Sequence, residues 1–185
     1  MQLTIGLRAY QKEDLDAIYT WPNDPDLAPF FMFTTEPYTR DKAQQFLDLQ
    51  LYNTDPTAVH FVIYDLQDLH QTYRGTVGLK NIDKTTGTAE IAIVISDPAY
   101  RGKGLGQQAL FLICQYGFSM LGLSKININF ISHNVAADKS YRRFGFQDDG
   151  VSKKKLLQNG VQYDEIHMSL TSHQFANLYE NTHST

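Results

Sequence analysis

A glycine-rich turn carries the clearest chemical signal in this sequence of 185 residues. A β-branched run at 89–96 leads into DPAYRGKGLG at 97–106, directly before a long apolar segment. The turn contains the pattern Arg101-x-x-Gly104-x-Gly106. Such a turn leaves several backbone N–H groups pointing outward at the start of a helix, where the helix dipole is positive. The turn is therefore suited to bind a pyrophosphate.

Two other glycine motifs that bind phosphates do not fit these residues. The phosphate loop of nucleotide triphosphatases needs Gly-Lys followed by Ser or Thr, but Gly102-Lys103 is followed by Gly104. The dinucleotide fingerprint needs Gly-x-Gly-x-x-Gly, whereas Gly102, Gly104 and Gly106 alternate. The sequence thus predicts neither a magnesium nucleotide site nor a dinucleotide fold.

A second motif follows the predicted strand at 125–131. It reads Asn134-x-x-Ala137-x-x-x-Tyr141-x-Arg143-x-Gly145-Phe146. Together, the two motifs resemble the coenzyme A loop and the Asn-x-x-Ser/Ala-x-x-x-Tyr-x-Lys/Arg-x-Gly-Phe signature of the Gcn5-related N-acetyltransferases (GNAT), in the same order and at the same spacings. Two independent motifs in the right order make coincidence an inadequate explanation.

The resemblance implies a single GNAT domain over residues 1–185 and acetyl-CoA as co-substrate. The implied fold is mixed α/β, with a central, mostly antiparallel sheet flanked by helices and a splayed strand pair that holds acetyl-CoA. The pantetheine arm would pair with exposed backbone of the strand before the glycine turn. The residues implied to bind the coenzyme are Val94, Ile95, Ser96, Arg101, Gly102, Lys103, Gly104, Leu105, Gly106 and Asn134.

Acetyl transfer requires a neutral attacking amine, a donor to the oxyanion and a proton for the leaving thiolate. A backbone N–H at the splayed strand can serve the oxyanion. Tyr141 falls where many GNAT members carry a tyrosine near the sulfur, and a phenol with a pKa of about 10 suits a thiolate. Glu90 lies where related enzymes place a base that acts through water. The alternatives are core packing for Tyr141, a strand-end salt bridge for Glu90 and a helix cap for Asn134.

Within the family, the sequence looks similar to bacterial spermidine N-acetyltransferases and to ribosomal-protein N-terminal acetyltransferases. The segments that carry this likeness are Glu36-Pro37-Tyr38, Tyr100-Arg101-Gly102-Lys103-Gly104-Leu105, Tyr116-Gly117-Phe118 and His173-Gln174-Phe175. Glu36 and Tyr38 are candidates for the amine pocket. Thr35 and Thr39 stand where the polyamine enzymes carry acids, and fewer carboxylates weaken charge pairing with a polycation.

Hydrophobic periodicity and turn residues predict the order of elements. Strands are expected at 3–9, 59–66, 74–80, 89–96, 125–131, 151–158 and 161–170. Helices are expected at 12–20, 40–51 and 104–121, around Tyr141, and at the end of the chain. Gly122 should close the long helix in a left-handed conformation, Asn159-Gly160 should form a hairpin turn, and Ser172 should cap the last helix.

Composition limits the class of protein. The net charge of −4 argues against nucleic acid as a partner and is compatible with a cationic substrate. No apolar run approaches the roughly 20 residues that span a bilayer, and the first residues lack a signal-peptide pattern, so we expect a cytoplasmic protein without a membrane partner. Cys114 is the one cysteine, which excludes an intramolecular disulfide, and the six histidines show no metal-like spacing. We therefore expect no metal.

Three functions remain open from sequence alone. The first is acetyl transfer to a primary amine of a small molecule, such as a polyamine, an amino sugar or an aminoglycoside. The second is acetyl transfer to the N-terminus of a protein, which needs an open groove. The third is non-catalytic binding of acyl-CoA, against which Tyr141 counts. Relatives are often dimers, and the aromatic segment 30–33 is a candidate homodimer interface or a lid over the acceptor.

Overall fold

A computed structural model describes residues 2–32, 37–52 and 54–180, and its strands form one sheet in the order β1-β2-β3-β4-β5-β7-β6. The strands are β1 Ile5–Arg8, β2 Val59–Asp65, β3 Gly75–Asp83, β4 Thr88–Ile95, β5 Lys125–Ile131, β6 Gln147–Gln158 and β7 Val161–Thr171. The helices are α1 Leu15–Thr20, α2 Arg40–Tyr52, α3 Leu105–Gln115, α4 Val135–Phe144 and α5 Ser172–Phe175. The mixed, mostly antiparallel sheet predicted from sequence is confirmed.

One pair of neighbouring strands is parallel. β4 pairs with β5 from Thr88 opposite Lys125 to Ile91 opposite Ile128, and the pairing then stops. Both strands continue beyond this point, because β4 stays paired with β3 as far as Ile95 and β5 stays paired with β7 as far as Ile131. The two strands therefore splay apart without losing their outer partners, as the family resemblance predicted.

Helices cover both faces of the sheet because strand side chains alternate between the faces. Val62 and Ile63 are adjacent on β2, yet they enter different hydrophobic clusters. The cluster around Ile63 includes the buried side of α3, and the cluster around Val62 lies against α1 and α2. Cys114 on α3 is fully buried, and burial raises the pKa of its thiol, so it acts as a core residue.

Several predicted boundaries are confirmed. β5 has the predicted limits, Gly122 is left-handed at φ +67°, and Asn159 and Gly160 both have positive φ in the hairpin turn. Thr39 caps α2 by accepting the N–H of Lys42 at 3.3 Å.

One prediction about a helix end is wrong. Ser172 is not the cap of α5, because Thr171 accepts the N–H of Gln174 and the Gln174 side chain accepts the N–H of Thr171. The helix predicted at 104–121 is confirmed as a continuous helical segment from Leu105 to Met120, of which Tyr116–Met120 is π-helical. No helix in the described ranges is long and apolar enough to cross a membrane.

A buried ion pair joins β1 to the helical residues that follow it. The two terminal nitrogens of Arg8 donate to the two carboxylate oxygens of Asp14 at 2.7 and 2.8 Å, and Asp14 also accepts the N–H of Gln11. Asp14 is only 4% exposed. Removing either partner would leave the other charge buried without compensation, which is strongly destabilising.

We therefore expect Asp14→Asn to lower the free energy of unfolding by about 3 kcal/mol, measured by urea denaturation. The control is Asp16→Asn, because Asp16 pairs with Arg40 at the same 2.7 Å distance but is 80% exposed. That variant should lose less than about 1 kcal/mol. Equal losses in the two variants would show that burial does not set the strength of the Arg8–Asp14 pair.

Candidate active site

A cavity of about 660 Å³ opens where β4 and β5 diverge. Its walls come from the unpaired part of β4, from Ile128–Phe130 of β5, from the first turns of α3 and from α4. A segment at 26–32 covers it on the other face of the sheet. Leu110 from the α3 cluster and Phe46 from the cluster of α1 and α2 both line the cavity, so it reaches both faces of the sheet.

The register of β3 and β4 decides which backbone groups face the gap. Ser96 N–H donates to the carbonyl of Arg74 at 3.0 Å, with Ile95 opposite Gly75 and Val94 opposite Thr76. Because hydrogen bonds alternate along an antiparallel pair, the backbone groups of Val94 face β3 and those of Ile93 and Ile95 face β5. The prediction that Val94 and Ser96 offer backbone groups to the coenzyme is therefore wrong.

Ile93 was missed from the sequence, because alternation alone does not say which set of amides faces which neighbour. The carbonyl of Ile95 is also occupied, since it accepts the Nε–H of Arg101 at 3.1 Å. The backbone groups left to face the gap are thus the N–H of Ile95 and both groups of Ile93.

The glycine turn has the geometry that the sequence predicted. Gly102 and Gly104 have φ of +71° and +82°, a region that strongly favours glycine, and Gly104 is the N-cap residue of α3. The N–H groups at 102–106 form no hydrogen bond with any residue that the structure describes. A Cβ added at Gly106 would meet nothing within 4 Å, so packing within the protein does not require this glycine. Free amides and open space are what an anion needs.

The side chains of the turn differ in what they can contribute. Leu105 is buried in the core, so only its N–H can face a ligand. Lys103 is exposed, with its ammonium 6.0 Å from the ring centre of Tyr100.

Arg101 donates hydrogen bonds to groups within the protein. One terminal nitrogen donates to Asp24 at 2.6 Å and to the carbonyl of Ser96 at 2.7 Å, and its backbone N–H donates to Pro98. The hydrogen bond from Arg101 lowers the pKa of Asp24. The prediction that Arg101 contacts the coenzyme is not supported by this geometry; the residue positions the turn.

Tyr141 lies on α4 and lines the cavity. Its ring is 5.4 Å from Phe130 and 6.2 Å from Phe146, so the predicted core packing is present. Its hydroxyl makes no hydrogen bond with a described residue, and burial raises the pKa of Tyr141 to about 12. The phenol therefore stays protonated at neutral pH and has a proton to donate.

The alternatives considered for Asn134 and Glu90 are both present in the structure. Asn134 caps α4 through its Oδ1, which accepts the N–H of Ala137 at 3.0 Å, and it also lines the cavity. Glu90 forms an ion pair with Lys80 at 2.7 Å and accepts a hydrogen bond from Asn81 at 3.3 Å. Glu90 also lines the cavity, so the salt bridge lies within the candidate site.

The covering segment holds the predicted aromatic cluster. Phe30 and Phe31 line the cavity, whereas Phe33 lies outside the described residues. The Nε2–H of His133 donates to the carbonyl of Pro29 at 2.9 Å, and Gln158 donates to the carbonyl of Phe31 at 2.7 Å. These two hydrogen bonds hold the segment against the cavity, and its role as a lid or as an interface stays a prediction.

Of the two residues predicted to bind the amine, the structure describes Tyr38, which does not line the cavity. Glu36 lies outside the described residues. Tyr38 packs against the cluster of α1 and α2, with its backbone hydrogen-bonded to Asn23, and its contact with substrate stays a prediction.

Side chains from β2 and β3 also line the cavity, namely His60, Thr76 and Lys80. No local sequence signal marks them, because only the register of the sheet places Lys80 opposite Glu90, Thr76 opposite Val94 and His60 opposite Gly78. Within the described ranges, no group of three His, Cys, Asp or Glu residues lies close enough to hold a metal ion.

Comparison with known proteins agrees with this geometry. Residues 4–147 match the family model of the acetyltransferase (GNAT) domain. Spermidine N(1)-acetyltransferase of Escherichia coli strain K12 is 30% identical over 176 residues, which cover 93% of this chain and 88% of that protein.

Solved structures of the Vibrio cholerae spermidine N-acetyltransferase share the fold. The complex with CoA and spermine has a TM-score of 0.83 at 26% identity and covers 94% of this chain and 99% of that chain. A dodecameric structure of that enzyme has a TM-score of 0.76 at 26% identity, with coverage of 96% and 98%. With the fold, both sequence motifs and these matches in agreement, the chain belongs to the GNAT family and is an acetyl-CoA-dependent N-acetyltransferase.

Proposed function

We propose that this enzyme acetylates a primary amine of a small linear aliphatic polyamine. The observation that carries the proposal is that one cavity is lined by Gly106, the last residue of the turn with free amides, by the splayed edge of β4 and by Tyr141. The relatives support the class of acceptor, since they are named for spermidine and one was solved with spermine and CoA.

In this proposal the diphosphate of acetyl-CoA binds the amides at 102–106, where the α3 dipole favours negative charge. The pantetheine arm pairs with the gap-facing backbone of Ile93 and Ile95. The thioester then lies between β4 and β5, within reach of Tyr141. A backbone N–H of β4 stabilises the oxyanion.

The chemistry follows from these positions. A neutral amine attacks the thioester carbonyl, a C–N bond forms, and the C–S bond breaks as Tyr141 gives its proton to the leaving sulfur. Glu90, on the acceptor side, receives the proton of the amine through water. Asn134 contributes its Nδ2 amide to the pantetheine, because its Oδ1 is already used to cap α4.

The cover over the acceptor side favours a small acceptor over a protein N-terminus. His133 and Gln158 hold the 26–32 segment in place, whereas an extended peptide needs an open groove. A cytoplasmic location accompanies the use of acetyl-CoA. We also propose that the chain assembles into a homo-oligomer, for which the dodecamer of the Vibrio cholerae enzyme is the supporting observation.

The function is tested by mixing the enzyme with acetyl-CoA and one acceptor at a time, and measuring free CoA thiol and acetylated product. The panel is a diamine, spermidine, an amino sugar, an aminoglycoside and a peptide with a free N-terminus. We expect turnover of linear amines and none of the peptide. Turnover of the peptide alone would reject the proposed acceptor class.

Tyr141→Phe should lower kcat at least about a hundredfold, because the thiolate would leave without an acid. The affinity for acetyl-CoA, measured by calorimetry, should be nearly unchanged. Tyr116→Phe is the control, since Tyr116 packs on Phe61 outside the cavity. If Tyr141→Phe abolished coenzyme binding without changing the rate per bound complex, Tyr141 would be a packing residue only.

Gly104→Val should abolish measurable binding of CoA in calorimetry. The side chain would stand over the free amides, and φ of +82° is unsuitable for a β-branched residue. Gly160→Val controls for backbone strain, because Gly160 has φ of +77°, also with nothing within 4 Å of its Cβ position, in the distant hairpin turn. If the diphosphate binds at the glycine turn, the control variant should bind CoA with normal affinity. Equal CoA affinity in the two variants would show that the diphosphate does not bind there.

A further inference from the structure

Both carboxylate oxygens of Glu90 are occupied by groups of the protein. The ammonium of Lys80 lies 2.7 Å from one oxygen, and the side-chain amide of Asn81 donates to the other at 3.3 Å. Glu90 is 16% exposed at its side chain, and Lys80 is 40% exposed. Lys80 and Glu90 both line the cavity, so a cation already sits on the carboxylate of the acceptor side.

The register and an irregularity of β3 bring Lys80 and Asn81 to the carboxylate of Glu90. Lys80 is directly opposite Glu90 in the register, and the pairing of β3 with β4 is irregular between Lys80 and Asp83. Asn81 lies in this irregularity with φ of +52°, an uncommon conformation for a residue other than glycine. This irregular backbone lets two consecutive side chains, Lys80 and Asn81, contact the same carboxylate. The backbone conformation therefore fixes the Lys80–Glu90 ion pair in the site.

The remaining charges of the cavity are few. Arg101 lines it but is bound to Asp24. Burial, and then the nearby charge of Lys80, lower the pKa of His60, so this residue is neutral at pH 7. Among the cavity-lining residues that the structure describes, Asp26 is the carboxylate without a cationic partner.

We propose that Lys80 determines acceptor specificity by taking the place of one acceptor ammonium on Glu90, so that the enzyme selects a linear diamine over a triamine or tetraamine. This inference rests on the proposed function. The reacting nitrogen of the acceptor must be neutral when it attacks, and Asp26 can pair with one further ammonium. Each additional ammonium in the cavity would approach Lys80 and be repelled by it.

The test is Lys80→Met, with kcat and KM measured for butylamine, 1,4-diaminobutane, spermidine and spermine. The variant frees Glu90, so the apparent KM for spermine should fall about tenfold, the KM for spermidine should fall less, and the KM for butylamine should not change. Any change in kcat through Glu90 should be shared by all four amines. The dependence of the KM effect on acceptor charge is therefore the diagnostic readout.

Lys84→Met is the matched control, because Lys84 is an exposed lysine of the same hairpin that does not line the cavity. It removes the same net charge and should leave all four KM values as in the wild type. Lys80→Arg keeps the cation and should keep the wild-type preference, while Lys80→Gln should reproduce Lys80→Met. A KM effect of equal size for all four amines, or the same effect in Lys84→Met, would overturn the inference.

Direct binding separates this inference from the proposed function. If the wild type acetylated none of these amines, the proposed function would fail. Calorimetry of the same amines with the CoA-loaded protein would still test Lys80. Spermine should then bind about tenfold more tightly to Lys80→Met than to the wild type. Unchanged affinity in that titration would reject the role of Lys80 whatever the acceptor is.

Discussion

Backbone hydrogen bonding along β4 and β5 is the constraint from which the site follows. Buried N–H and C=O groups need partners, yet the two strands stop pairing beyond Ile91 and Ile128. The sheet tolerates this gap because β3 and β7 hold the outer edges of the two strands to Ile95 and Ile131. The unpaired inner edges can then be satisfied by an extended ligand that has amides of its own, as pantetheine has.

Both sequence motifs begin where one of these diverging strands ends. β4 leads through the glycine turn into α3, and β5 leads through Asn134 into α4. Their spacing along the chain therefore becomes proximity at the mouth of one gap. Arg101 extends this unit, because it binds carbonyls at the end of β4 and also Asp24, next to the segment that covers the acceptor side. The guanidinium of Arg101 therefore links the glycine turn to the residues beside the 26–32 segment.

What the sequence predicted correctly is mostly local. The limits of β5, the left-handed Gly122 and the placement of Tyr141 in the cavity depend on residues close together in the chain. The errors have a common cause in pairing between distant segments. Val94 and Ser96 were wrong because the register with β3, set by residues about twenty positions earlier, decides which amides face the gap. Lys80 was missed for the same reason.

The two halves of the site also differ in how much they reveal about function. The coenzyme half consists largely of backbone amides and glycines, which remain in place when surrounding side chains change, so it identifies the family at 30% identity. The acceptor half consists of side chains from β2, β3 and the 26–32 segment. Substitution there alters charge without disturbing the fold. Thr39 illustrates this, because it caps α2 at a position where the polyamine enzymes are expected to carry an acid. In our proposal, the charges of Glu90, Lys80 and Asp26, rather than the shared fold, decide which amine this enzyme accepts.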